Sequence, residues 1–218
     1  MEKFVQDVAI ITEKLCRDEG NHVSNELNRL RKKLVILYRK GVVKINHSVM
    51  ELVCAKHLIK KGYFVDTEKQ VSDILVCDLF AKKGDSSEVV EIETGFVPPD
   101  HALDPVQSGT ARIASKIARY SQFAEKFSLG TPPHNLLPIP ELFLVPPRFR
   151  KRDDVEKLKR LLDKYYTSPE VRIEQITNAR LQMIYIVNAD TGHTAEVDPL
   201  EYHRIAKMAG FAKQDTNP

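Results

Sequence analysis

The segment SDILVCDLFAKKG (residues 72–84) runs directly into DSSEVVEIETG (residues 85–95). Two β-favouring runs flank Lys83-Gly84-Asp85-Ser86, which is a hairpin signal. A turn centred on Gly84 and Asp85 pairs Lys83 with Ser86 and, counting outward, sets Asp78 opposite Glu91. Period-2 alternation then places Glu91 and Glu93 on one side of their strand, with Val90 and Ile92 turned the other way into a core. Like charges directly opposite on a sheet repel, so this grouping needs something positive between its members. A hard divalent cation, Mg2+ or Mn2+, meets that need, with Asp78, Glu91 and Glu93 as its oxygen ligands. A half-exposed hairpin whose solvent face carries acids is the plainer alternative, and these residues alone leave both open.

The chain around this hairpin has 218 residues, room for one substantial core and an extension. Its 33 basic and 30 acidic residues give a net charge of +3, too little by itself to demand a nucleic-acid partner. No apolar run of about 18 residues occurs, and MEKFVQDVAIITEK is too acidic and interrupted for a signal peptide, so a cytoplasmic protein is expected. Cys16, Cys54 and Cys77 stand far apart without CxxC or CxxH spacing, which argues against a disulfide framework or a zinc site.

Upstream, Phe4, Val8, Ile11 and Leu15, and then Val23, Leu27, Leu30, Leu34 and Leu37, recur at helical spacing. With Asp18-Glu19-Gly20-Asn21 as the break, they predict a helical hairpin over 2–17 and 22–40, a candidate surface for a homodimer. Arg29, Arg31, Lys32, Lys33, Arg39 and Lys40 fall on its outer face, ordinarily a solvated one. Ser48-x-x-Glu51 reads as a capping box opening a third helix that stops at Gly62. A short strand over Tyr63–Thr67 leads to the hairpin. Beyond Glu93, a loop with Pro98, Pro99, Asp100, His101, Asp104 and Pro105 is placed to act as a flap.

Helical spacing continues over 108–127, with Ile113, Ile117, Tyr120, Ala124 and Phe127 inward and Arg112, Lys116 and Arg119 on a neighbouring stripe. ELFLV (141–145) reads as a strand ended by Pro146 and Pro147. PRFRKR (147–152) is the densest basic cluster. Arg148, Arg150, Lys151 and Arg152 suit phosphates and Phe149 suits a base, although a solvated loop has the same composition. A helix capped by Asp153, strands over 171–176 and 181–188, a turn at Asp190-Thr191-Gly192 and a last helix from Asp198-Pro199 to Gly210 complete the chain. The expected division is a helical hairpin over 1–45, a main domain over 46–210 and a flexible tail over 211–218.

From Ser48 to Val145 the expected order is helix, three strands, helix, strand. With HSVMELVCAKHLIKKGYFV, CDLFAKKG and VVEIETG in that order, the middle half of the chain resembles the PD-(D/E)XK nuclease superfamily, which includes restriction endonucleases and archaeal Holliday junction resolvases. The resemblance implies an α/β fold: an αβββαβ core with a mixed sheet flanked by helices, to which the N-terminal helical hairpin is added. It implies a Mg2+- or Mn2+-dependent nuclease acting on DNA, and its charge-rich style is similar to that of archaeal cytosolic proteins.

Carried over by position, Glu51 is the helix-borne acid that helps orient a metal-bound water. Asp78 is the central metal ligand and Glu91 the second carboxylate. Glu93 stands where the family normally has lysine, as it does in some restriction endonucleases, and is an added ligand or general base. Lys116 can supply the missing positive charge from the following helix, and Lys116 and Tyr120 resemble the glutamine-to-tyrosine spacing of some members. Arg112, Lys116, Arg119 and Tyr120 join the PRFRKR cations as expected DNA contacts. Asp73 competes for the aspartate role but falls on the opposite face of a regular strand, and His47 and His101 stay outside the proposed site. The same fold without cutting, as a nucleic-acid-binding protein, is the alternative, and an assembly protein built on the hairpin seams is a third.

Overall fold

The architecture is set by one open sheet whose strands follow the chain. The protein is described here by a computed structural model covering residues 2–209. Its elements are α1 (Glu2–Cys16), α2 (Asn21–Arg39), α3 (Ile45–Lys60), β1 (Phe64–Gln70), β2 (Val76–Lys83), β3 (Ser86–Ile92), α4 (Pro105–Tyr120), β4 (Lys126–Thr131), α5 (Arg152–Tyr165), α6 (Ile173–Asn178), β5 (Met183–Asn188), β6 (His193–Val197) and α7 (Pro199–Met208). The strands lie in the order β1-β2-β3-β4-β5-β6. Neighbours are antiparallel except for β3–β4 and β4–β5, which are parallel. The fold is therefore α/β with a mixed sheet. Among the described residues, no helix is long and apolar enough to cross a membrane.

Both faces of the sheet are covered, which is why β3 and β4 are buried along most of their length. On one face Phe4, Val8, Leu27, Leu34, Leu52 and Leu58 of α1–α3 pack against Val65, Leu79, Val90 and Ile92. On the other, Ile113 and Ile117 of α4 and Leu158 and Leu162 of α5 pack against Val89, Phe127, Leu129 and Ile184. Each such leucine or isoleucine contributes roughly 1.5–3 kcal/mol by leaving water. The seams expected over 4–15 and 23–37 thus face this chain's own core. Two of the cations expected on a solvated face also turn inward: Arg29 donates to Val65 O and Lys33 to Thr67 O, covering carbonyls of edge strand β1.

The hairpin register is the expected one, with Lys83 opposite Ser86 and Leu79 opposite Val90. Elsewhere local pattern misleads. α3 begins at Ile45 with Lys44 as N-cap, so Ser48 lies buried inside the helix and caps nothing. The extra turn forms because Ile45 and Val49 pack on the α1–α3 core. The helix expected over 108–127 runs from Pro105 to Tyr120, and Phe127 belongs to β4. Phe127 lies three residues after Ala124 and seven after Tyr120, so helical spacing carries over into the first residues of the strand.

ELFLV is a 3-10 turn, Glu141–Leu144, rather than a strand. Pro138 and Pro140 before it and Pro146 and Pro147 after it lack the N–H groups a ladder requires. Residues 173–178 form α6 instead of a strand, its first turn closed by the Gln175 side chain accepting from Arg172 N–H at 2.9 Å. α5 starts at Arg152 after Lys151, so Asp153 sits in the first turn and is not the cap. β6 was not expected. Asp198 caps α7 as expected, accepting from Leu200 N–H and Glu201 N–H. The expected end at Gly210 and the tail over 211–218 lie outside the described residues.

Candidate active site

Asp78 is where four elements meet. Its peptide N–H donates to Glu91 Oε1 at 3.2 Å, and its Oδ2 accepts from Ile92 N–H at 2.6 Å, so the β2–β3 pair is closed here partly by carboxylates. One strand further, Glu93 N–H donates to Gly130 O at 2.7 Å, which holds Glu93 against β4. A Cβ at Gly130 would come within 2.5 Å of Ile92 Cδ1, so a larger residue there would require the Ile92 side chain to shift.

The positive charge that these acids require comes from the protein itself. Lys116 Nζ lies 3.0 Å from Glu91 Oε2, 2.9 Å from Glu93 Oε1 and 3.8 Å from Asp78 Oδ2, and donates to Ile92 O at 3.2 Å. Arg112, one turn earlier on α4, brings Nε to 3.1 Å from Glu93 Oε2 and donates from Nη1 to Phe96 O. Tyr120, one turn later, donates to Val76 O at 2.9 Å. Spacing of four along α4 therefore lays all three side chains along the β2–β3 edge. Glu91 and Glu93 are buried, so the solvent-exposed acidic hairpin is not what folds.

On the other side of Asp78 lies a second group. Glu51, on α3, is 1 % exposed. One of its oxygens is bonded to Thr67 Oγ1, and its Oε1 has no partner. Thr67 Oγ1 also lies 3.2 Å from Asp78 O, linking α3 to β2 through β1. His47, four residues before Glu51, places Nδ1 4.0 Å from Asp78 Oδ1. One ligand atom each from His47, Glu51 and Asp78 lies within 4.8 Å of the others.

Glu68 completes this side. It has φ of 47°, and the β1–β2 ladder pairs Thr67 with Leu79 and Lys69 with Cys77 while leaving Glu68 and Asp78 unpaired. A non-glycine residue in the left-handed region costs energy and marks a local demand on the backbone. The strand turns over at this point, since Cys77 packs with the α4 side while Leu79 and Ala81 pack with the α3 side.

Electrostatics follow from burial and crowding. Burial, and then Asp78, hold the Glu51 carboxyl well above the usual carboxylate range. The same two causes push Glu91 up to about 8, with Lys116 pulling the other way, and Glu68 to about 7. The carboxylates around Lys116 raise its proton affinity well beyond that of a free lysine despite its desolvation. Burial lowers His47, which favours the neutral imidazole.

The expected site residues Glu51, Asp78, Glu91, Glu93 and Lys116 are thus brought together, with Arg112 and Tyr120 beside them. Thr67 and Glu68 join them unannounced, and His47, expected to stay outside the site, lies beside Asp78 and Glu51. The His47-x3-Glu51 spacing was available in the sequence once α3 is started at Ile45; nothing in VDTEKQ signals the backbone of Glu68. Asp73 is exposed, ahead of β2. His101 packs edge-on against Tyr165 at 5.3 Å in the loop beyond Glu93, where Tyr165 also donates to Asp104.

The remaining expected DNA contacts are spread out. Arg119 donates to Pro169 O and stacks on Tyr166, and Arg150 donates to Val145 O, Ile176 O and Thr177 O. Arg148 lies over the exposed Phe149 ring, Arg152 pairs with Glu156, and Lys151 precedes α5. No known protein family, characterised protein or solved structure matches this chain.

Proposed function

We propose that the chain is a metal-dependent nuclease that hydrolyses phosphodiester bonds of DNA, on a restriction-endonuclease-like core. The observation that carries the reading is the seating of Lys116 Nζ between Glu91, Glu93 and Asp78. It returns, from α4, the positive charge that Glu93 displaces from β3. The succession α3, β1, β2, β3, α4, β4 supports the same reading.

The donor set suits a divalent ion. Asp78 and Glu51 each bring a hard carboxylate oxygen within 4.8 Å of the other, Glu51 Oε1 has no hydrogen-bond partner, and Glu91 is a further carboxylate now held by Lys116. When bound, such an ion supplies Lewis acidity and lowers the pKa of a coordinated water. The protein's own groups do the rest. Lys116 offers an ammonium to the developing charge on phosphorus-bound oxygens. Glu68, with a proton affinity near neutrality, would take a proton from the attacking water. Arg148, Lys151 and Arg152 are offered to the DNA backbone, while Arg112, Arg119, Tyr120 and Arg150 would have to give up contacts within the fold to reach it.

The test is incubation of the purified chain with plasmid, branched and single-stranded DNA in Mn2+ or Mg2+. Cutting of at least one substrate, stopped by EDTA, is expected. The same contacts also favour a second reading, in which Lys116 is a permanent counterion and the fold binds DNA without cutting. Salt-sensitive binding that persists in EDTA, with no cleavage under any condition, would replace the first reading by the second.

A further inference from the structure

The geometry points to His47 as a nitrogen ligand of the bound cation, which makes this a site for a transition-metal ion such as Mn2+ in preference to Mg2+. The inference rests on the reading of Asp78 as a cation ligand. The two oxygens of Asp78 are not equivalent. Oδ2 is already engaged by Ile92 N–H and faces Lys116, whereas Oδ1 faces His47. No hydrogen-bond donor among the described residues reaches Oδ1, one carboxylate oxygen of Glu51 lies within 4.8 Å of an Asp78 oxygen, and the buried Glu51 Oε1 also lacks a partner. Burying a polar atom such as Glu51 Oε1 without a hydrogen-bond partner costs about 1–3 kcal/mol, a cost that a cation held with Asp78 and His47 would remove.

His47 stands on that side because α3 starts at Ile45. Four residues apart on one helix, His47 and Glu51 share a face, and both reach Asp78 across the sheet. In an octahedral site with bonds of about 2.1 Å, ligand atoms stand about 3 Å apart when adjacent and about 4.2 Å apart when opposite. The 4.0 Å between His47 Nδ1 and Asp78 Oδ1 falls between those values. One imidazole with two carboxylates is a mixed N,O set. Mg2+ takes oxygen and keeps its waters, while Mn2+ and its neighbours accept imidazole.

The experiment titrates the full chain, free of DNA, with Mn2+ alone, then with Mn2+ against Mg2+, and reads bound Mn2+ by pulsed electron paramagnetic resonance. Mn2+ is expected to bind at least about tenfold more tightly than Mg2+ and to show coupling to a nitrogen-14 nucleus. His47→Ala is expected to remove that coupling and weaken Mn2+ binding by about tenfold or more, while Mg2+ binding moves less than about twofold. Its thermal midpoint serves as the folding control. Wild-type Mn2+ without nitrogen coupling, or equal affinity for the two ions, overturns the inference whatever the variant does. Nitrogen-coupled Mn2+ in a chain that cuts no DNA would sink the nuclease reading and leave this one standing. Cleavage supported by Mn2+ without nitrogen coupling would do the reverse.

Discussion

Lys116→Met is expected to lower the stability of the folded chain by about 3–5 kcal/mol at neutral pH, because it strands buried carboxylates without their ammonium. Glu91 and Glu93 are almost inaccessible, and Asp78 and Lys116 only partly accessible, so water cannot take over the role. For a chain of this size the loss amounts to a fall in the thermal midpoint of roughly 10 °C. The pH dependence identifies the cause. Lys116 is held above its ordinary value, so its contribution is full below that value and is lost only as the pH rises through the folded one.

In the variant, Glu91 no longer has the ammonium that restrains it and climbs beyond its present value of about 8. Above that pH native Glu91 has lost its proton in both states, whereas the variant's folded state still holds one that the unfolded chain does not. Its stability therefore keeps falling, and the deficit widens above about pH 8. Urea titrations on either side of that value measure it. A deficit under about 1 kcal/mol that stays flat across this range would mean that Lys116 is not the counterion of the cluster.

Asp78→Asn should have the opposite signature. The amide keeps the shape and can still accept from Ile92 N–H, but it removes the charge that crowds Glu51, Glu68 and Glu91. Stability should hold or rise slightly. Cleavage should fall by about a thousandfold or more, since several kcal/mol of transition-state stabilisation depends on the ion that Asp78 holds. Loss of function with gain of stability is the pattern of a site whose charges are arranged for chemistry rather than for folding. Activity within about tenfold of the native chain, measured on the same substrate, would remove Asp78 from the reaction.

Much of this site is legible in the sequence. The Gly84-Asp85 turn sets the register that brings Asp78 to Glu91, and alternation alone turns Glu93 to the same side as Glu91. The spacing of Arg112, Lys116 and Tyr120 put a cation within reach. Three things were not legible, each for a physical reason. Ser48-x-x-Glu51 satisfies the local rule for a helix cap, but packing of Ile45 and Val49 extends the helix past it and frees Glu51 for the site. β4 is short, and although Phe127 and Leu129 alternate with Lys126 and Ser128, Phe127 also falls at helical spacing from Tyr120 and Ala124, so the strand reads as the end of the preceding helix. The backbone of Glu68 is set by the pairing around it and has no signature in its own side chain.

The most direct test of the central claim, that these acids hold a divalent ion, is anomalous diffraction from a crystal of the full chain soaked in Mn2+. The account predicts a peak bonded to Asp78 between α3 and β2, with Lys116 still against Glu93. Saturating Mn2+ that leaves no peak within bonding distance of Asp78 would contradict it.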